Sequence, residues 1–139
     1  MTPEALEQRF RVNVTSLLVL AQELAPAMVA AGRGAIVATG TTSAWRGKAA
    51  FAGFAPTKAA QRILAESLAR SLGPKGVHVA YVVIDAVIDL PWTRKAFPDR
   101  PDDFFIRPAG ISDAVHYLVH QERSAWTFEL DLRPFGESW

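Results

Sequence analysis

The residues from Gly34 to Leu72 constrain this chain more than any others. Ala35 to Thr39 is a short apolar run held between Gly34 and Gly40. A run of that kind suits a strand covered on both faces of a parallel sheet better than the half-exposed strand of a hairpin. A loop follows to about Gly53. From about Phe54 to Leu72 the side chains of Ala60, Ile63, Leu64, Leu68 and Leu72 recur at helical spacing. Glu66 and Arg70 form an i,i+4 pair on the same segment, and Gly73-Pro74 stops it. Strand, loop and helix in that order make half of a doubly wound unit, so an α/β fold is expected.

The flanking segments extend the pattern. Thr2 is a suitable N-cap, with Pro3 at the first helical position and Glu4 against the helix dipole. A long helix should run from there to Ala30-Ala31-Gly32, with Pro26 kinking it near its end. Leu6, Phe10, Leu17, Leu20, Leu24 and Met28 form its apolar stripe, and Asn13 falls on that stripe. A polar amide there must find partners, and a buried Asn bonded to backbone is one reading. Val77 to Ile84 reads as a second parallel strand. Leu90 to Arg107, with Pro91, Pro98, Pro101 and several aromatics, reads as an excursion, Ser112 to about His120 as a short helix, and Trp126 to Leu132 as a last strand of alternating character. The expected sheet is parallel and three-stranded, near residues 35–39, 77–84 and 127–132. Right-handed crossovers place the first two helices on one of its faces. In the alternative, the last segment pairs antiparallel or in a partner chain.

Composition narrows the function classes. A chain of 139 residues, half of them hydrophobic, is expected to form a single globular domain. A net charge of +1 with interspersed signs supplies no basic stripe for nucleic acid and no polybasic segment for a membrane surface, so neither partner is expected. No apolar run is expected to approach the length of a membrane span, and the N-terminus reads as a helix start rather than a signal peptide. The lack of cysteine fits a cytoplasmic location. His116 and His120 have the i,i+4 spacing that puts two imidazoles on one helix face, but without a third ligand they read as a surface pair. His78 reads as a packed or edge histidine.

Three residues separate Lys58 from Phe54 and twelve separate Phe54 from Thr41, and Asn13 sits between Val12 and Val14. This constellation resembles the Asn, Ser, Tyr and Lys of the short-chain dehydrogenase/reductase family, with Thr41 at the serine position and Phe54 at the tyrosine position. The resemblance covers nearly the whole chain. It implies the C-terminal portion of a doubly wound Rossmann-like fold, a single partial domain over residues 1–139 without the N-terminal dinucleotide-binding half. It implies an NAD(P)-dependent oxidoreductase using NAD or NADP, with Asn13, Thr41 and Lys58 at catalytic positions and Lys58 also contacting the cofactor ribose. Asn13 would break its helix locally and hold a water of a proton relay. A homo-oligomer, dimer or tetramer, would form through the helices at residues 2–31 and 54–72.

Departures from the family pattern carry their own information. Ile84-Asp85-Ala86 stands where Pro-Gly is usual, and the ending Ser-Ala-Trp-Thr-Phe-Glu-Leu-Asp-Leu-Arg-Pro replaces a Gly-Gly ending. Together with Phe54 these resemble a branch of the family that also carries Phe in place of the tyrosine. Gly32-Arg33-Gly34 and Gly40 lack the strand-to-helix context of a pyrophosphate turn, so dinucleotide binding by this chain alone is expected to be weak. The functional alternative is a non-catalytic remnant that acts through helix-mediated association. Outside the resemblance, Lys58 would read as a solvated surface cation and Thr41 as an ordinary loop hydroxyl.

Overall fold

Thr2 opens the first helix as its side chain suggests: its hydroxyl oxygen accepts from the Ala5 N–H at 3.3 Å, and Pro3 fills the first turn. The computed structural model describes residues 1–136. In it the helix is α1 (Pro3–Phe10), which passes through a π-helical turn at Arg11–Thr15 into α2 (Ser16–Ala30). Gly32, at φ +61°, turns the chain into β1 (Gly34–Gly40). Two short 3₁₀ turns lead to α3 (Ala55–Leu72), and Gly76, at φ +85°, opens β2 (Val77–Ile84).

Beyond β2 lie β3 (Val87–Ile88), α4 (Pro91–Ala96), β4 (Phe105–Ile106), α5 (Pro108–Val119) and β5 (Glu129–Leu132). The main sheet has the order β1-β2-β5 and is parallel throughout, with Gly34 opposite Val77 and Tyr81 opposite Glu129. The antiparallel alternative for the last strand is thereby excluded. β4, within the region expected to be an excursion, forms a separate parallel pair with β3, which lies just before it. Arg94 fastens that excursion by donating to Asp89 and Asp102 while its guanidinium lies 4.0 Å from the centroid of Phe105.

Alternation along β2 sorts the core into two layers. Val77, Val79, Tyr81 and Val83 face α2 and α3, packing with Leu17, Ala25, Ala38, Ala65 and Leu72. Ala80 and Val82 face the other way and meet Leu118 of α5. The first two helical layers therefore share one face of the sheet, as right-handed crossovers require.

Several boundaries differ from the sequence reading. α5 starts at Pro108 rather than Ser112, because proline is well suited to the first helical turn. β5 starts at Glu129 rather than at 126 or 127, because Gln121 takes Thr127 into a loop: its Oε1 accepts from the Thr127 N–H and its Nε2 donates to the Thr127 hydroxyl. On α2 the buried side chains are Leu17, Ala21 and Ala25, whereas Leu20 and Leu24 of the expected stripe are exposed. The helix approaches its neighbours through its small residues, which turns these leucines outward.

The expectation about span length is also corrected. Pro3–Ala30 forms 28 continuous helical residues, long and apolar enough to cross a membrane by length and composition. Its Leu17-Ala21-Ala25 side packs against the sheet and α3, which makes it a core layer of this fold.

Candidate active site

The C-terminal ends of parallel strands are where an open α/β sheet leaves room for a ligand. Here β1 ends at Thr39 and Gly40, β2 at Ile84, and the first turn of α3 faces them. Together with Thr41, Phe54, Lys58, Ala86 and Ile88 they line a cavity of about 290 Å³. The structure thus brings Thr41, Phe54 and Lys58 to one place. A larger cavity of about 780 Å³ lies apart from them, between Arg94, Phe105, Arg107, Asp113 and Phe135.

Lys58 is no solvated surface cation. Its Nζ donates to the Thr39 carbonyl at 3.0 Å and to Gln61 Oε1 at 3.0 Å, and it lies 5.7 Å from the Phe54 ring centroid. Burial pushes its pKa below the ordinary lysine value. Phe54 precedes α3 as its N-cap residue, and its carbonyl accepts from the N–H groups of Thr57 and Lys58 at 3.1 Å. A ring without a hydroxyl therefore occupies the wall beside the ammonium. Thr41 is extended, and its hydroxyl accepts weakly from the Ser43 N–H at 3.5 Å.

Asn13 does not line the cavity. It lies in the π turn, so the helix is indeed interrupted at that residue. Its amide donates to the Thr57 hydroxyl at 2.9 Å rather than bonding to backbone, and its carbonyl accepts from Gln61 Nε2 at 2.8 Å. Gln61 and Thr57 were not singled out by sequence reasoning. Their signal was position alone: Gln61 falls one turn after Lys58 on the same helix face.

Beneath the cavity Tyr81 is completely buried and donates to the Lys58 carbonyl at 3.3 Å. Desolvation, aided by the charge of Glu129, pushes its phenol up to about 12. Gly40 makes room for it, since a Cβ there would overlap the Tyr81 ring. His78 is buried, stacks on Trp126 at 4.8 Å and bonds through Nε2 to the Thr127 carbonyl oxygen at 2.8 Å, so it is a packed histidine. The exposed rings of His116 and His120 stack at 4.1 Å. Among the described residues no group of three or more His, Cys, Asp or Glu side chains could share a metal ion.

A model of the short chain dehydrogenase family matches residues 1–99. This chain belongs to that family. It is 30% identical over 120 residues to a 3-alpha-(or 20-beta)-hydroxysteroid dehydrogenase of Mycobacterium tuberculosis and to one of Mycobacterium bovis. The matches cover 81% of this chain but only 44% of those relatives. A crystal structure of a short-chain dehydrogenase from Rhodopseudomonas palustris is 34% identical, with a TM-score of 0.77 over 96% of this chain and 54% of its own. A closed serine dehydrogenase complexed with NADP+ shares the fold at a TM-score of 0.85 and 20% identity, covering all of this chain and 59% of that one. The short-chain dehydrogenase fold thus accounts for the parallel sheet and its helical layers.

Proposed function

We propose that this chain carries the nicotinamide-facing part of an NAD(P)-dependent oxidoreductase whose site is atypical at the proton-transfer position. The observation that carries the reading is the Lys58 ammonium, held beside Phe54 and Thr41 at the ends of β1 and β2. An ammonium has three donors, and two are taken by Thr39 and Gln61, which leaves one for a ribose hydroxyl. Gly40 adds no side chain to the wall. The donor set fits the nicotinamide riboside end of NAD or NADP, and a homologous structure solved with NADP+ supports a nicotinamide cofactor.

When bound, the dinucleotide supplies a hydride to a carbonyl carbon or takes one from a carbinol. The residues here orient that end and manage the proton. Phe54 can neither give nor take one, and losing a positioned acid typically costs about two to four orders of magnitude in rate. The Thr41 hydroxyl and solvent are the remaining routes, so turnover by this site is slow. Residues 1–139 form one partial Rossmann-like domain in this reading, and the pyrophosphate finds no glycine-rich strand-to-helix turn among the described residues. Affinity of this chain alone for NAD or NADP is therefore low.

A second reading, a non-catalytic remnant that acts by association, is favoured by the apolar surface of the helices. Val12, Leu20 and Leu24 on the first helical layer and Ile63 on α3 are more than half exposed. We assign them to contact with a second copy, giving a dimer or tetramer through residues 2–31 and 54–72. The location in this reading is cytoplasmic, without nucleic-acid or membrane partners.

Titration of NADPH and NADH against this polypeptide, beside a longer one that includes an upstream strand and glycine-rich turn, tests the assignment. Saturable fluorescence enhancement by the longer chain only, lost in Lys58→Met, upholds the oxidoreductase reading. No binding by either chain, with a stable oligomer, upholds the remnant.

A further inference from the structure

Gln61 bonds to a donor on one side and an acceptor on the other. Its Oε1 accepts from the Lys58 ammonium at 3.0 Å, while its Nε2 donates to the Asn13 carbonyl at 2.8 Å. A primary amide is suited to this task, because one planar group offers both an acceptor and two donors. A carboxylate would face the Asn13 carbonyl with no proton to give, and an aliphatic side chain would serve neither partner. The bridge joins α3 to the π turn across 48 residues of sequence.

We propose that Gln61 is a positioning residue for Lys58, holding the ammonium against the Thr39 carbonyl at the cavity and filling with a fixed amide the space between Lys58 and Asn13 that a relay water would need. Two anchors leave Lys58 with a single donor for a ligand, so its orientation is set before anything binds. The amide cannot pass a proton as a water would, so Lys58 is closed off from the π turn on that side. The proposal rests on the oxidoreductase reading only for what Lys58 serves, and not for where Gln61 holds it.

The groups that face Lys58 are few. Thr39 of β1 offers a carbonyl, Phe54 a ring, Gln61 a neutral amide, and Tyr81 of β2 a phenol bonded to the Lys58 carbonyl and neutral to about pH 12. Burial alone pulls the lysine down from its ordinary value. A carboxylate introduced at position 61 would therefore act on an otherwise uncharged setting.

Competitive acetylation with trace acetic anhydride across pH, read peptide by peptide in a mass spectrometer, reports the free-amine fraction of Lys58 in the intact chain. Lys75 serves as the internal control. Gln61→Glu is expected to lower Lys58 acetylation about tenfold at neutral to mildly alkaline pH, because an adjacent carboxylate favours the ammonium. Gln61→Leu, which removes a hydrogen bond to the charged form, is expected to raise it. Gln61→Ala, which makes room for a water, is expected to restore a rate near that of the parent chain. An unchanged Lys58 profile in Gln61→Glu, or a Gln61→Ala profile displaced as far as that of the Leu variant, with native circular dichroism, would overturn the proposal. Shifted profiles, with no dinucleotide binding even by the longer polypeptide that includes an upstream strand and glycine-rich turn, would uphold the positioning and refute the oxidoreductase reading. Dinucleotide binding with unshifted profiles would do the reverse.

Discussion

The side-chain amide of Asn13 donates to the hydroxyl of Thr57 at 2.9 Å, and Thr57 is fully buried. That hydroxyl donates in turn to the Phe54 carbonyl at 2.8 Å, so one short chain of bonds joins the π turn to the start of α3. Asn13→Leu is expected to lower unfolding free energy by about 1–3 kcal/mol, since it breaks this link and leaves the Thr57 oxygen without its donor. Thr57→Val should cost a comparable amount. The double variant should fall short of the sum, and urea denaturation of all four proteins measures the difference.

Gly40 is required by close approach rather than by backbone conformation. A Cβ at that position would strike the Tyr81 ring, which is buried on every side. Gly40→Ala is therefore expected to destabilise the chain by about 1–3 kcal/mol. Gly47, with open space around its Cα, should accept alanine with no such loss. Paired thermal melts of the two variants provide the comparison.

Tyr81 sets an alkaline limit on stability. Its folded pKa of about 12 lies above the value near 10 of an unfolded tyrosine, so the unfolded chain gives up that proton first. The contribution is fully present below about pH 10 and is lost as pH rises through about 12. In a spectrophotometric titration of the two tyrosines, Tyr81 should ionise last, at or beyond the onset of unfolding. Tyr81→Phe should remove that late step. A single transition near pH 10 for both tyrosines in the folded chain would contradict the expectation.

Arg62 ties α3 to the edge strand β5. Its Nε and Nη2 both donate to the Glu129 carboxylate, and its guanidinium lies 5.9 Å from the Phe128 ring centroid. Both side chains are about three-quarters shielded from solvent. Glu129→Gln leaves the shielded Arg62 with only its longer ion pair to Glu66 at 3.6 Å, so it is expected to cost about 1–2 kcal/mol. Hydrogen exchange should localise the loss to the β2–β5 pairing. Arg70, whose side chain is largely exposed in its pair with Glu66, should tolerate alanine within about 0.5 kcal/mol.

The assignment of the helix surface to a second copy predicts a charge-sensitive assembly. Leu24→Glu and Ile63→Glu both alter exposed positions and should leave the fold intact. Each is expected to shift the protein toward monomer by sedimentation or light scattering. A stable monomer at micromolar concentration in the parent chain would defeat the assignment.

Local chemistry was enough to read the order of elements. A glycine-bounded apolar run, a helical repeat ended by Gly73-Pro74 and a β-branched strand from Val77 to Ile84 announced the parallel sheet, because burial on both faces and helical periodicity leave direct marks on residue type. The register of Thr41, Phe54 and Lys58 likewise marked the family, and the fold brings the three to one cavity. Three things depended on the tertiary structure. Which side of α2 is buried was decided by how closely its alanines let it approach the sheet, a property of the packed pair of surfaces rather than of one stripe. β3 and β4, two residues each, are too short for any period to show and exist because Arg94 holds their loop together. The partners of Lys58 were settled by the fold too: Gln61 is an ordinary polar residue on a helix until the π turn brings the Asn13 carbonyl to its amide, and hydrogen bonds between residues 48 apart leave no periodic trace in the chain that makes them.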